Sequence, residues 1–304
     1  MTPVDLIVHG LLVLLLPPLL LGVITKTKAA FAGRVGAPLL QPYHDIIKLL
    51  RKSSVFSRTT TWVFRAGPVV GLATALLASL LIPLGDGTAP VSFEGDLVLF
   101  AYLLGLGRFF TVSAALDTGS AFEGMGGARE ATFACLTEPA LFLCLLVLVR
   151  TSGSLSLSGM LGASLAASWP HAAASFIAVV ASLLIVILAE NSRIPFDDPN
   201  THLELTMVHE VMVLDHGGPA LGMILYGAAI KLFLLGAVVV RIAVPYDGAD
   251  PWCGRAVFVG GMLLLAAIIG VVESVMARLR LLQIPSLLVT ACVLSAFGVV
   301  LLAR

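Results

Sequence analysis

The chain has 304 residues, of which 59% are hydrophobic and 12% are charged, and its mean hydropathy is +1.03. Soluble domains carry about 25% charged residues, so this composition excludes a soluble globular protein and indicates an integral membrane protein. The 18 basic and 18 acidic residues balance to a formal charge of zero, which by itself says nothing about partners. For a membrane protein of this kind we expect no nucleic-acid partner. Because a span needs about 20 apolar residues, we expect one all-α membrane domain over residues 1–304.

Eight apolar runs along the chain predict eight transmembrane helices. They cover approximately residues 3–25, 66–84, 97–116, 131–149, 172–190, 219–241, 256–273 and 285–303. Most basic residues outside these runs lie in the odd-numbered loops, and the opposite loops hold only Arg150, Arg241 and Arg255. The positive-inside rule therefore predicts that the odd-numbered loops are cytoplasmic and that both termini lie outside.

The first of these loops contains a predicted amphipathic helix. Its apolar positions recur at three- and four-residue steps, namely Tyr43, Ile46, Ile47 and Leu50. Charged residues such as Asp45 and Lys48 lie away from that stripe. We expect a short interfacial helix whose basic side chains meet anionic lipid or a partner protein, and the sequence leaves these two alternatives open.

The loop between the fifth and sixth spans, which we call the acidic loop, is rich in acidic residues, although it belongs to the predicted cytoplasmic side, where loops are usually basic. Five carboxylates face the single Arg193, namely Asp197, Asp198, Glu204, Glu210 and Asp215. Pro195 and Pro199 predict an irregular turn over residues 190–200, with helix resuming near Thr201. Charges beside hydrocarbon are costly unless they are hydrated or paired. The segment is therefore a functional-site hypothesis, and its irregular backbone implies a protein-lined or watery cavity.

Three histidines in this region do not predict a metal site. His202, His209 and His216 are seven residues apart, which separates them by roughly 10 Å along a helix, whereas zinc ligands lie about 2 Å from the metal. Partner contact, a proton relay and ordinary loop hydrogen bonding all stay open for these side chains. The four cysteines show no Cys-x-x-Cys spacing, so we expect neither an iron–sulfur cluster nor a zinc site on this chain.

Ionisable residues also occur inside the predicted spans. They are Arg108, Glu138, Glu190, Lys231 and Glu273. Arg108 and Lys231 lie far from the span ends and should need carboxylate partners or water. A chain of acids and bases suits proton conduction, and it is equally compatible with buried structural ion pairs.

Two segments of the acidic loop resemble known membrane subunits of redox complexes. Residues 189–197 read Ala-Glu-Asn-Ser-Arg-Ile-Pro-Phe-Asp, which closely resembles the Ala-Glu-x-Asn-Arg-x-Pro-Phe-Asp signature of respiratory complex I subunit 1. Residues 198–210 look more like the homologous membrane subunit of energy-converting nickel–iron hydrogenases, including the formate hydrogenlyase and hydrogenase-4 types. Further matches are residues 33–49, 116–122 with 129–131, and 273–280. The resemblance covers nearly the whole chain.

The resemblance implies an eight-helix bundle that docks a soluble arm and links it to antiporter-like ion-pumping subunits. Iron–sulfur clusters and a nickel–iron centre are then expected in the partners, and neither a cofactor nor a catalytic residue on this chain. The implied acidic ion path comprises Glu138, Glu190, Asp197, Glu204, Glu210 and Glu273, with Arg108 and Lys231 as its basic partners. The implied docking loops contain Arg34, Asp45, Lys48, Asp117, Arg129, Glu130, Arg193, Arg278 and Arg280.

One departure from the complex I pattern concerns the first loop. The complex I subunit usually has Gly-Pro-Asn-Arg there, whereas this chain has Gly-Ala-Pro at residues 36–38 without the Asn-Arg. Quinone binding is therefore less favoured than an ion-coupling role in a hydrogenase. A subunit lining the quinone chamber of an NADH:quinone oxidoreductase remains the near alternative. A free-standing secondary transporter is the distant one, because it would need discontinuous helices around a midplane pocket.

Overall fold

A computed structural model describes residues 2–85, 88–197, 207–246 and 250–302. Within these ranges the chain is helical and contains eight helices that are long and apolar enough to cross a membrane. These are α1 (Pro3–Phe31), α3 (Trp62–Ser79), α4 (Asp96–Asp117), α5 (Ala121–Ser152), α7 (Ala163–Glu190), α9 (Gly218–Ala243), α10 (Pro251–Val275) and α11 (Ile284–Leu302). The shorter helices are α2 (Gln41–Leu50), α6 (Leu157–Met160) and α8 (His209–Met212). The predicted all-α membrane fold is confirmed.

Successive long helices run in opposite directions, so the bundle has two distinct ends. At one end Asp117 accepts hydrogen bonds from Thr61, and the backbone N–H of Leu279 donates to the carbonyl of Pro195 at 3.0 Å. We call this the basic end, because it includes the loop over residues 32–61 and the residues after α10, which contain many of the basic residues outside the spans. At the opposite end Arg255 pairs with Asp5.

Helix α9 forms the centre of the bundle. Residues 229–242 of α9 are buried except for Lys231, and α9 packs against α1, α2, α3, α7 and α10. Gly227 lies against α3, where an added Cβ would be in ordinary contact with the Cα of Leu72 at 3.5 Å. A helix that is apolar all round is buried among other helices, which agrees with this position.

Helix α2 forms where the amphipathic pattern predicted it. Tyr43 and Ile46 are half-buried, whereas Ile47 and Leu50 stay exposed. The chain leading into α2 passes directly over α1, because an added Cβ at Gly22 would lie only 2.0 Å from the carbonyl oxygen of Leu39. The predicted stripe therefore has an inner half that packs on the bundle and an outer half that remains available to lipid or a partner.

Helix α5 begins ten residues before the predicted span. Its 32 residues extend over about 48 Å, well beyond the roughly 30 Å of a hydrocarbon core. Arg129 and Glu130 therefore lie within a helix, and the prediction that they belong to a loop is wrong. The hydropathy pattern marks only the apolar part of a helix, so it missed this polar first section.

The turn predicted between the fifth and sixth spans is present over residues 191–197, which are not helical. Helix is described again at His209, in the short α8. The predicted return to helix near Thr201 lies outside the described residues, and so do Asp198, His202 and Glu204.

Candidate functional site

Arg108 is the centre of a buried ion-pair cluster between α4, α5 and α7. Its guanidinium pairs with Glu138 and with Glu190, and its Nε lies 3.4 Å from Oε1 of Glu130. Lys231 of α9 approaches Glu190 Oε2 at 2.7 Å, and Thr137 donates to Glu190 Oε1 at 2.8 Å. We call Arg108, Glu130, Glu138, Glu190 and Lys231 the Arg108 cluster. Arg108 and Lys231 were expected to need carboxylate partners or water, and both have carboxylate partners.

The three carboxylates of the cluster differ in burial. The side chain of Glu190 is 5% exposed and that of Glu130 is 14% exposed, whereas that of Glu138 is 48% exposed. Glu138 precedes Pro139 within α5, and a proline removes one helical hydrogen bond and weakens the helix locally. Glu138 therefore forms the outer part of the cluster, and Glu190 forms its core.

Two cavities meet at the cluster. One has a volume of about 100 Å³ and is lined by Arg108, Glu130, Glu190 and Lys231, together with His209. A polar cavity of this volume is large enough to hold water. The second is a cleft of about 610 Å³ between α4 and α5, which contacts Arg108, Glu138 and Glu190. Both cavities put ionisable groups within reach of small polar species.

The aromatic walls of the cleft are open on the outside of the bundle. Tyr102 is 72% exposed and Phe109 is 64% exposed, and both line the cleft. The same cleft contacts Arg108 and Glu138 at its inner end. It therefore reaches the cluster from the side of the bundle.

Glu273 belongs to a second cluster at the basic end. It accepts from Lys28 at 2.7 Å and from Arg193 at 3.2 Å, and its side chain is fully buried. Helices α1 and α10 pack closely here, because an added Cβ at Gly270 would lie 2.7 Å from the Cβ of Thr27. Glu273 and Glu190 therefore have different cationic partners.

Asp197 holds the segment that leads into α8. Its carboxylate accepts from Arg278 at 2.9 Å and from the backbone N–H groups of Val208 at 2.8 Å and His209 at 3.2 Å. Arg129 donates to the carbonyl of Met207 at 2.8 Å. Among the residues predicted for docking, Arg129, Arg193 and Arg278 thus make contacts within the chain.

The remaining residues predicted for docking divide into two groups. Asp117 accepts from the backbone N–H groups of Thr61 and Phe64, at 2.7 Å and 3.3 Å, and so caps the start of α3. The exposed members are Arg34, Asp45, Lys48 and Arg280, whereas Glu130 belongs to the Arg108 cluster. Glu210, which was predicted for the ion path, is half-buried. Surface docking suits the exposed members, whereas Asp117 is engaged within the bundle.

The described histidines of the acidic loop lie in different surroundings. His209 lines the smaller cavity, and burial lowers its pKa below the ordinary 6.5. His216 is stacked on Phe64 with 3.9 Å between ring centroids. Within the described ranges no group of three or more His, Cys, Asp or Glu side chains is arranged to hold a metal ion.

Sequence reasoning missed the roles of Glu130 and Glu123. Glu130 lies close to two helical turns before Glu138, so a helical pattern extended back to Ala121 would have placed both on related faces. Glu123 is buried and accepts from the backbone N–H of Asp215 at 3.1 Å. The signal was helical spacing among polar residues, which a search for apolar runs does not register.

The whole length of the chain matches one protein family and several members of it. The model of the family described as "NADH dehydrogenase" matches residues 4–304. Formate hydrogenlyase subunit 4 of Escherichia coli (strain K12) is 30% identical over 288 residues, which are 90% of each chain. Hydrogenase-4 component C of the same strain is 30% identical over 282 residues, covering 91% of this chain and 88% of that protein.

More distant relatives agree with this assignment. A subunit of the NADH-quinone oxidoreductase of Syntrophotalea carbinolica is 32% identical over 219 residues, covering 68% of this chain and 64% of that protein. A chain of the membrane-bound sulfane sulfur reductase, an archaeal respiratory membrane complex, has the same fold, with a TM-score of 0.82, 21% identity and 98% of both chains covered. The chain is a multi-pass membrane protein of the NADH dehydrogenase family, the family of complex I subunit 1.

Proposed function

We propose that this chain is the membrane-anchoring, ion-coupling subunit of a multisubunit membrane-bound nickel–iron hydrogenase of the formate hydrogenlyase kind. In this role it docks the hydrogenase arm and links electron transfer to translocation of protons or sodium ions. The observation that carries the ion-coupling role is the Arg108 cluster, which lies between a water-sized cavity and a lateral cleft. The similarity to formate hydrogenlyase subunit 4 and hydrogenase-4 component C supports the choice of complex.

The charge balance of the cluster favours ion uptake. Two cations, Arg108 and Lys231, face three carboxylates, Glu130, Glu138 and Glu190. When all three are ionised the cluster carries one net negative charge, which is costly near hydrocarbon. A proton or a small cation removes that charge. Because the carboxylates share Arg108, their protonation is coupled, and a charge change at one of them shifts the affinity of the others.

A redox event at the basic end can act on this cluster through the acidic loop. Asp197, Arg278 and Arg129 hold residues 207–209, and His209 lies against the same cavity as Glu190. A partner that changes its charge or position near this loop changes the field at the cluster. Glu204 and Glu210 belong to the same proposed path. Glu273, which is ion-paired with Lys28 and Arg193, is a second site along it, after the Arg108 cluster.

The proposed partners are the hydrogenase large and small subunits, an iron–sulfur protein and antiporter-like membrane subunits. Iron–sulfur clusters and the nickel–iron centre belong to those partners. The exposed Arg34, Asp45, Lys48 and Arg280 provide a surface for the soluble arm. The cleft beside Glu138 is the proposed contact with a membrane partner, because it leads from the side of the bundle to the cluster. We place the chain in a bacterial or archaeal cytoplasmic membrane, with odd-numbered loops cytoplasmic and both termini outside.

The test is ion translocation by the complex purified through a tag on this chain and reconstituted into liposomes. We expect Glu190→Gln, Glu138→Gln and Glu130→Gln each to lower the ions moved per electron pair by tenfold or more. Hydrogenase activity and subunit composition should stay unchanged, because the redox centres lie in the partners. Glu94→Gln is the matched control, since Glu94 is exposed at the opposite end of the bundle. Unchanged translocation in all three variants would remove the proposal.

One observation favours the near alternative, a subunit of an NADH:quinone oxidoreductase. The cleft of about 610 Å³ has aromatic walls and lies within the roughly 300–1,000 Å³ of small-molecule pockets. A photoreactive quinone analogue that labels Tyr102 or Phe109, together with NADH–quinone activity in the purified complex, would support that alternative. Copurification of a nickel–iron hydrogenase pair without such labelling supports the hydrogenase.

A further inference from the structure

His209 lies at the cavity of the Arg108 cluster. It is the first residue of α8, it is half-buried, and it lines the cavity together with Glu130, Glu190 and Lys231. The two ring nitrogens of a histidine donate or accept hydrogen bonds according to its protonation state. At this position the ring lies beside a cavity that can hold water. Its position therefore joins the acidic loop to the cluster.

The backbone around His209 is held from three separate elements. Asp197 accepts from the N–H groups of Val208 and His209, and Arg278 pairs with the same carboxylate. Arg129 of α5 donates to the carbonyl of Met207. These contacts fix the start of α8 relative to the cavity, and such support is what a side chain needs to keep one geometry.

We propose that His209 is the proton-transfer residue that loads the Arg108 cluster from the side of the acidic loop. This inference rests on the proposed ion path and adds the group that feeds it. In the first step the neutral imidazole takes a proton from water on the loop side and becomes imidazolium. In the second step the imidazolium releases its other ring proton through the cavity to the carboxylate of Glu130, which becomes a neutral acid. Only one proton moves, and no electrons are exchanged.

The charged groups around His209 favour this sequence. Burial and the charge of Lys231 lower its pKa, whereas Glu130 and Asp197 raise it, and the net effect is a lowered pKa. The ring is therefore neutral at rest, and it is protonated only transiently while it passes a proton on. Protonation of Glu130 removes one of the two charges that stabilise the imidazolium. The ring is already neutral after giving up this proton, and the loss of that negative charge makes its immediate reprotonation less favourable.

The remaining charges at the cavity leave this balance in place. Arg108 and Glu190 also line it, and they are ion-paired with each other. Arg278 is ion-paired with Asp197, and Arg129 is bound to the carbonyl of Met207. Glu130 has the weakest contact of the three acids with Arg108, at 3.4 Å, so it is the carboxylate most free to accept the proton.

The first test measures the protonation of His209 directly. The full chain, with ¹⁵N-labelled histidine, is placed in lipid nanodiscs, and the His209 resonance is identified by its loss in His209→Gln. We expect a neutral ring at pH 7 that titrates below pH 6.5, and a titration at still lower pH in Glu130→Gln. Glu94→Gln should leave it unchanged. A resonance that does not titrate between pH 4 and 8, or that ignores Glu130→Gln, overturns the proposal.

The second test uses ion translocation by the intact complex in liposomes. His209→Gln should lower the ions moved per electron pair at least fivefold and flatten the pH profile between pH 5 and 8. His171→Gln is the control, because His171 lies on an exposed face of α7. If the glutamate variants abolish translocation while His209→Gln preserves it, only the role of His209 fails. If the glutamate variants also preserve it, the proposed function fails. The titration in the wild-type chain decides the case if His209→Gln does not assemble.

Discussion

His216 is a buried histidine whose apolar surroundings favour the neutral form of its ring over the charged form. Its side chain is 6% exposed and stacks on Phe64. Its Nδ1 is buried with no hydrogen-bond partner among the described residues. Burial lowers the pKa of His216 from 6.5 to about 4, against a smaller opposite effect of Asp215. The neutral ring is therefore the form that suits the folded chain.

This pKa shift makes stability depend on pH in a defined direction. Above pH 6.5 the ring is neutral in both the folded and the unfolded chain, so it adds no pH dependence. Between pH 6.5 and about 4 only the unfolded chain takes up the proton, and the folded state loses stability as the pH falls. We expect the wild-type chain to lose about 2 kcal/mol more unfolding free energy than His216→Phe between pH 7.5 and pH 5.

The measurement is reversible unfolding in mixed micelles at both pH values. His216→Phe keeps a ring against Phe64 and removes the titration. His44→Phe makes the same substitution on an exposed part of α2 and should retain the wild-type pH dependence. Equal pH dependence of the wild-type chain and His216→Phe would show that the buried ring does not contribute.

The sequence predicted the partners of some residues and not of others. Arg108 and Lys231 were expected to need carboxylates or water, because an unpaired cation inside a span is costly, and both have carboxylate partners. The physical rule specifies that a partner exists but not which one, so Glu190 as the shared partner required the packing of α4, α7 and α9. Glu130 was assigned to a loop because polar residues at a helix start resemble loop residues.

Helix α1 contains the prolines Pro17 and Pro18, and two tyrosines from other helices donate to carbonyls of the turn before them. Pro18 has no N–H to donate to the carbonyl of Leu14. The hydroxyl of Tyr226 donates to that carbonyl at 2.9 Å, and the hydroxyl of Tyr43 donates to the carbonyl of Leu15. Tyr43 belongs to α2 and Tyr226 to α9. The hydroxyl of Tyr43 therefore links α2 to α1 close to the two prolines.

Removing the hydroxyl of Tyr43 should loosen α2 without unfolding the chain. A net hydrogen bond contributes about 0.5–1.5 kcal/mol, so Tyr43→Phe should speed amide hydrogen exchange across Gln41–Leu50 by about three- to tenfold. Exchange in α9 should stay unchanged. Tyr102→Phe, on the exposed side of α4, is the control. If exchange in α2 is the same in both variants, the bond to α1 does not hold α2.

Helix number was predictable and helix length was not. Each apolar run identified a helix, because hydrocarbon requires about 20 apolar residues per span. The start of α5 at Ala121 and of α7 at Ala163, nine or ten residues before the predicted spans, were missed. These extensions are stabilised by contacts within the bundle rather than by hydropathy. In α5 they include the buried Glu123 and the bond from Arg129 to Met207.

The two ends of the whole molecule are built differently. At the opposite end Asp96 is fully buried and accepts from Ser156 and from the backbone N–H of Leu157, and Arg241 donates to the carbonyl of Leu161. Asp96 and Arg241 are both buried and both hold the segment around α6 at this end. The basic end instead exposes Lys48 and Arg280 and contains the acidic loop. This asymmetry suits docking at the basic end, which the family resemblance implied, whereas the distribution of basic residues predicted only that this end is cytoplasmic.

The orientation of this asymmetric bundle can be measured with a cysteine that the chain already contains. Cys253 is exposed near the start of α10, at the opposite end from Lys48. If the basic end is cytoplasmic, a membrane-impermeant maleimide should label Cys253 in right-side-out vesicles, and Cys253→Ser should abolish that label. Adding Lys48→Cys to Cys253→Ser should restore labelling only in inside-out vesicles, because the reagent cannot cross the hydrocarbon. The reverse pattern would put the acidic loop on the outer face, away from a cytoplasmic redox arm, and would contradict both the orientation and the coupling role.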